Sequence, residues 1–201
     1  MKFLIITNHS YMLWQFRREL IEELLGRGEV VISTPYVGHE KDFMDMGCRC
    51  VKTKLERRST NPLREIKLIH FYHRLLKMEK PDLVITYSIK PNLYAGTLCR
   101  FMKIPYYSNV QGLGTAFQKK NMAVLVSFLY RLALKKAKTV FFENLSNARS
   151  FVKRKILSWE KITILSGAGV NLDCFPYIPY PSEEDGIRFL FLGRILRVCS
   201  A

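Results

Sequence analysis

The stretch from Asp82 to Phe117 constrains the fold more than any other, because it joins two apolar runs to two polar exits in a fixed order. Asp82 to Thr86 leads into Ser88-Ile89-Lys90-Pro91-Asn92, which reads as a polar loop, and Tyr94 to Met102 then follows a helical pattern with small residues. Ile104 to Val110 is the second apolar run and empties into Gly112-Leu113-Gly114. The order is strand, loop, helix, strand, loop, and both loops leave the carboxyl ends of their strands. Ligands of open α/β sheets sit in the crevice outside those ends. If the two strands are parallel neighbours, both loops open on one rim, which becomes the first candidate for chemistry.

The flanking sequence extends the same pattern. Phe3 to Thr7 is a continuous apolar run of the kind a doubly covered parallel strand shows. After Asn8-His9-Ser10, residues Phe16, Leu20, Ile21, Leu24 and Leu25 recur at helical spacing up to Gly26 and Gly28, and Glu29 to Thr34 is the next strand. The first turn carries aromatics and Arg17-Arg18 in place of a GxGxxG fingerprint, which argues against a dinucleotide site of the usual kind. Glu40 to Met46 predicts a short helix and Cys48 to Leu55 a strand. The basic loop Glu56 to Pro62 offers Ser59, Thr60 and Asn61 as caps for a helix running to Lys80. Asn121 to Lys138 predicts a helix with an apolar face and a basic end. Thr139 to Phe142 predicts a strand with Glu143-Asn144 at its carboxyl end. A helix capped by Ser146 and a strand over Ile162 to Leu165 follow, and the strand opens into Gly167 to Asn171.

Charge is the compositional anomaly. Against 17 acidic residues stand 32 lysines and arginines, a formal net charge of +15 in 201 residues, which points to a polyanionic partner or an anionic surface. The sequence has no helix-turn-helix, RNP or zinc-finger pattern, and its aromatics do not interleave with the basic runs as a nucleic-acid stacking platform would. Five scattered cysteines form no CxxC pair, and Cys48 and Cys50 are expected to point to opposite faces of a strand, a poor metal clip. No metal site is expected, and a reduced compartment is the default. No secretory signal is legible, and the most apolar helix, Met122 to Leu134, is broken by Arg131 and falls short of the ~20 residues a membrane crossing needs.

Three organisational segments are expected: a domain over 1–175, a stiff acidic linker over 176–186 with Pro176, Pro179 and Pro181, and the start of a second domain over 187–201. The Ile187 to Gly193 run reads as a strand with no sheet of its own to join, so the second domain reads as truncated.

Taken in order, Thr86 to Asn92, Gly112-Leu113-Gly114-Thr115-Ala116-Phe117, Phe142-Glu143-Asn144, Gly167 to Asp173 and Phe191-Leu192-Gly193-Arg194 resemble bacterial family-4 glycosyltransferases of the GT-B fold. The likeness is to the branch that builds capsule, O-antigen or glycan chains on lipid carriers. It implies a Rossmann-like parallel sheet flanked by helices, the N-terminal, acceptor-side half of a GT-B fold, followed by the first strand of the donor-binding half. It also implies sugar transfer from a nucleotide-sugar, a UDP-sugar as co-substrate with no separate cofactor. The acceptor would be lipid-linked or a polysaccharide, the mechanism retaining and metal-independent, and the place of work the cytoplasmic face of the cell membrane, held peripherally on anionic lipid. The Glu-x7-Glu motif and most donor contacts of the family lie in the donor-binding half, so transfer by this chain alone is not expected.

On that resemblance His9, Arg57, Arg58, Lys90, Asn92, Gly112, Gly114, Thr115 and Glu143 are the acceptor-side candidates. Gly169, Asn171, Gly193 and Arg194 are those of the donor side. A leaving diphosphate must be neutralised by cations or helix N-termini. Lys90 and the backbone amides from Gly112 to Thr115 are suited to an anionic rim, and Arg57 and Arg58 to the lipid diphosphate of an acceptor. Arg194 corresponds to the family's donor-diphosphate arginine, without the lysine that usually follows it. No catalytic base is legible. The alternative reading is a non-catalytic basic module that binds nucleic acid or another polyanion.

Overall fold

A computed structural model describes residues 1–54, 61–113, 117, 120–179, 186 and 189–191 of the chain. Its strands are β1 (Lys2–Ile6), β2 (Glu29–Thr34), β3 (Arg49–Lys52), β4 (Leu83–Tyr87), β5 (Tyr106–Val110), β6 (Val140–Phe142) and β7 (Ile162–Ile164). Between them run α1 (Ser10–Leu25), α2 (Glu40–Asp45), α3 (Pro62–Glu79), α4 (Ile89–Met102), α5 (Lys120–Leu134) and α6 (Leu145–Lys153), and a single 3-10 turn, Trp159–Lys161, precedes β7. Every pairing is parallel, in the order β3-β2-β1-β4-β5-β6-β7. This is the Rossmann-like sheet the sequence predicts, with the strand order reversing beside β1.

The apolar runs are continuous because the sheet is covered on both faces. Successive side chains point to opposite sides of a strand. Leu4 and Ile6 therefore join one core with residues of α3, α4, α5 and α6, while Phe3 and Ile5 join another with Leu13, Ile21 and Leu24 of α1 and Phe43 of α2. Cys48 belongs to this second core and Cys50 packs against it, so the two share a side of the sheet. The expectation of opposite faces fails because residues two apart in a strand face alike. Burial pushes the Cys50 thiol up to about 11 and the Cys48 thiol up to about 12, so both are inert packing groups.

Three further expectations change. Ser88 to Asn92 is no loop: the chain turns once at Ser88, at φ 74°, and enters α4 at Ile89. Pro91 is tolerated there because the N–H groups of a first turn have no intrahelical partner. Asn144 rather than Ser146 caps α6, its side chain accepting from the Asn147 N–H at 2.8 Å. In α1 the inward stripe is Leu13, Arg17, Ile21 and Leu24 at helical spacing, Leu20 is exposed, and the backbone leaves helical values at Arg17 (φ −140°, ψ 16°). Asn61 caps α3 as expected, accepting from the Leu63 N–H at 3.0 Å.

The chain divides into two compact units, Met1–Gly169 and Val170–Ala201. The first contains the sheet. In the second, Asn171 holds a local turn, its side chain accepting from the Asp173 N–H at 2.9 Å and its carbonyl from the Phe175 N–H at 2.9 Å. Of the strand expected over Ile187 to Gly193, Phe189, Leu190 and Phe191 are described; they are exposed and belong to no strand.

Candidate functional site at the carboxyl edge of the sheet

All the strands point the same way, so their exits share one edge. Asn8 and His9 follow β1, Ser88 follows β4, Gln111 and Gly112 follow β5, Glu143 follows β6, and Gly167 to Gly169 lie beyond β7. A cleft of about 80 Å³ opens there, lined by His9, Met12, Arg17, Tyr87, Ser88 and Gln111 among others. His9 caps α1 by accepting the Met12 N–H at Nδ1 (3.4 Å), which places the neutral imidazole's proton on Nε2. Ser88 Oγ donates to Asn8 Oδ1 at 2.7 Å and ties the β1 and β4 exits together.

Arg17 organises the edge, a role that the sequence pattern alone does not reveal. Its guanidinium donates to Glu143 Oε1 at 2.7 Å, to the Ala168 carbonyl at 3.0 Å and to the Phe16 carbonyl at 2.8 Å, and it lies over the Tyr87 ring at 5.7 Å. One buried side chain thus links the exits of β1, β4, β6 and β7. Burial, opposed by the Arg17 charge, pushes the Tyr87 phenol up to about 12, so it stays protonated as a donor. The signal in the sequence was a single arginine at a helical spacing from Leu13, Ile21 and Leu24, where an apolar residue would be expected.

The candidates named from sequence separate into groups. His9, Gly112, Glu143 and Gly169 stand on this edge, the last beside the Ala168 carbonyl that Arg17 holds. Gly112 has no left-handed φ, and a Cβ there would meet nothing, so its backbone is bare at the edge rather than forced into a tight turn. Gly167 and Gly169 do take left-handed values, φ 87° and 84°. Lys90 sits in the first turn of α4 and pairs with Glu65 of α3 at 2.6 Å. Asn92 is fully buried and donates to the Asn109 carbonyl at 2.9 Å, lashing α4 to β5. Asn171 belongs to the second unit. Arg57, Arg58, Gly114, Thr115, Gly193 and Arg194 lie outside the described residues.

The electrostatics of the edge favour an anion. Helices α1, α4 and α6 begin directly at strand exits and α5 begins beyond the Gly112 loop, and none of the four carries a carboxylate in its first turn. Such N-termini present unpaired N–H groups and a partial positive charge. The β2 and β3 end of the same edge is compensated in the ordinary way: α2 starts with Glu40 and Asp42 and α3 has Glu65, and Glu40 also accepts from Ser10 Oγ at the start of α1 at 2.7 Å.

The model of glycosyl transferase 4-like proteins matches residues 3–144. The chain belongs to this glycosyl transferase 4-like family. It is also similar to N,N'-diacetylbacillosaminyl-diphospho-undecaprenol alpha-1,3-N-acetylgalactosaminyltransferase of Campylobacter jejuni, with 27% identity over 186 residues, covering 89% of this chain and 49% of that protein. Among solved structures, a glycosyltransferase from Rickettsia africae superposes with a TM-score of 0.60 at 17% identity, covering 87% of this chain and 45% of the other. A UDP-N-acetylglucosamine 2-epimerase from Rickettsia bellii superposes at 0.55 with 19% identity, covering 87% and 47%. These structural likenesses fix the Rossmann-like GT-B fold. The chain spans about half the length of these relatives. Among the described residues of this family member, no helix is long and apolar enough to cross a membrane.

Proposed function

We propose that this chain is the acceptor-side half of a retaining glycosyltransferase that moves a sugar from a nucleotide-sugar, a UDP-sugar in our reading, to a lipid-linked diphosphate acceptor during surface glycan synthesis of the capsule or O-antigen type. The supporting observation is the carboxyl edge, where the exits of β1, β4 and β5 and the N-termini of α1 and α4, which have no first-turn carboxylate, line a cleft braced by Arg17. An edge of that kind suits a diphosphate held close to the point of transfer. The undecaprenol-linked substrate in the name of the Campylobacter jejuni relative agrees in chemistry. The work is done at the inner face of the cell membrane, to which the protein binds peripherally.

Donor binding needs the opposing half of a GT-B fold, so the 201-residue chain by itself gives no sugar-nucleotide turnover. A radiolabelled UDP-sugar assay with a short-chain polyprenyl-diphosphate sugar, run beside a gel-shift titration with DNA and RNA, tests the reading. Acceptor binding without turnover and without a salt-resistant nucleic-acid shift is the expected result. Turnover by the chain alone contradicts the half-enzyme reading, and tight nucleic-acid binding with no acceptor binding replaces it with a polyanion-binding module.

A further inference from the structure

From Leu83 to Phe142 the chain contains no aspartate or glutamate, yet it carries nine lysines and arginines. This stretch supplies α4 and α5, which pack together on one face of the sheet. Helix α5 buries Ala123, Val126, Tyr130, Ala133 and Leu134 against the core. Its outer side is apolar as well: Val124, Leu125 and Phe128 are 66%, 54% and 59% exposed. A helix apolar on both sides belongs in a core or against an apolar phase, and a solvated outer face of this kind calls for a covering.

The surroundings say what covers it. Arg131 follows on the same outer side of α5 and Lys135 comes just past its end. A neighbouring cleft of about 430 Å³ is lined by Phe128, Leu132, Arg100, Arg131, Lys135 and Lys161. The bonds that hold these cations go to backbone carbonyls: Arg100 to Leu132 at 2.9 Å, Arg131 to Lys155 at 2.8 Å and Lys161 to Lys135 at 2.6 Å. Among the described residues none of the four has a carboxylate at ion-pair distance. An arginine has five N–H donors and a lysine three, so these carbonyls do not exhaust them. A symmetric contact between two copies would set this cationic patch against itself.

We propose that the outer face of α5 is the membrane-docking surface, with Val124, Leu125 and Phe128 entering the headgroup boundary of an anionic bilayer and the cations around the cleft taking lipid phosphates. The inference deepens the peripheral-membrane reading above and rests on it. Charge complementarity commits the face to lipid: apolar anchors beside a single-sign cationic cluster are what an interfacial helix uses. The apolar half of α5 is also its beginning, next to the loop that leaves the carboxyl end of β5. Docking there brings the candidate cleft to the bilayer surface, where a lipid-linked sugar diphosphate lies.

Vesicle sedimentation of the 201-residue chain decides the matter, using phosphatidylcholine vesicles with and without phosphatidylglycerol, and the variants Val124→Asp/Phe128→Asp and Lys135→Gln. The control is Leu63→Asp/Ile66→Asp, an equally exposed apolar pair on α3. The α5 pair is expected to weaken binding at least about tenfold. Lys135→Gln is expected to cost about fivefold on anionic vesicles only, and the α3 pair is expected to change little. Circular dichroism and thermal midpoints check that each variant is folded. Wild-type binding that the folded α5 variants retain, or that only the α3 pair abolishes, overturns this assignment and leaves the peripheral reading standing. No vesicle binding by the wild type overturns both. A wild-type dimer in sedimentation equilibrium that Val124→Asp/Phe128→Asp dissociates assigns the face to a second copy instead.

Discussion

At the scale of single residues, the carboxyl edge depends on Arg17. A guanidinium that is mostly buried in a small α/β domain has to be matched, and Arg17 is matched by Glu143 and two carbonyls from separate segments. Removing one partner of such a pair is costly because the other charge stays behind, whereas replacing both by neutral groups of similar shape costs much less. Glu143 is itself partly exposed, so the loss is placed below the fully buried range. Arg17→Ala is expected to destabilise the fold by about 2–3 kcal/mol, and Arg17→Met with Glu143→Gln to recover a good part of that. Urea denaturation of Arg17→Met, Glu143→Gln and the double of these two gives the coupling directly; additive losses would mean that the pair is incidental. Arg17 also illustrates what the sequence conceals. Beside Arg18 it reads as a solvated pair on the first helix, yet Arg17 continues the buried stripe of Leu13, Ile21 and Leu24 while Arg18 pairs with Glu22 on the surface.

At the scale of elements, the carboxyl edge carries the candidate cleft, and the opposite, amino edge is fastened by ion pairs. Glu79, buried at the end of α3, pairs with Lys2 of β1 at 3.0 Å and with Arg49 of β3. Burial alone would raise its carboxyl, but the hydrogen bonds from Arg49 and Lys2 outweigh it and hold the group below its ordinary value of 4.5. A carboxylate with a depressed folded pKa contributes stability that is fully present above that ordinary value and is lost as the pH falls through the folded one. The wild type is therefore expected to lose stability faster than Glu79→Gln on acidification below about pH 4.5. Denaturation midpoints measured across that range check it, and parallel acid profiles would contradict it. Strands were legible because doubly covered strands are written as unbroken apolar runs. The start of α4 was not. Ser, Lys, Pro and Asn in succession carry loop chemistry, and only the packing of Asn92 beneath β5 and the ion pair of Lys90 with Glu65 turn that segment into a first helical turn. The edge as a candidate site was legible from strand direction alone. The anchoring of its individual side chains was not, because it depends on partners more than a hundred residues away, as between Arg17 and Glu143.

At the scale of the whole molecule, the charge of +15 has a direction as well as a size. The stretch without carboxylates forms α4 and α5, and the helix N-termini without carboxylates meet at the carboxyl edge. In our account these are two uses of one polarity, a membrane surface held by α5 and a lipid-linked diphosphate held at the neighbouring edge. The central claim is the second, and amide chemical-shift mapping of the isotope-labelled chain tests it most directly. A short-chain polyprenyl-diphosphate sugar is titrated in, with inorganic diphosphate and a polyprenol as controls. Saturable shifts are expected at His9, Ser88, Gln111 and Gly112, weaker ones with diphosphate alone, and none there with the polyprenol. Shifts confined to the amino edge around Lys103 and Lys138, or no saturable response to the diphosphate sugar at all, would contradict it.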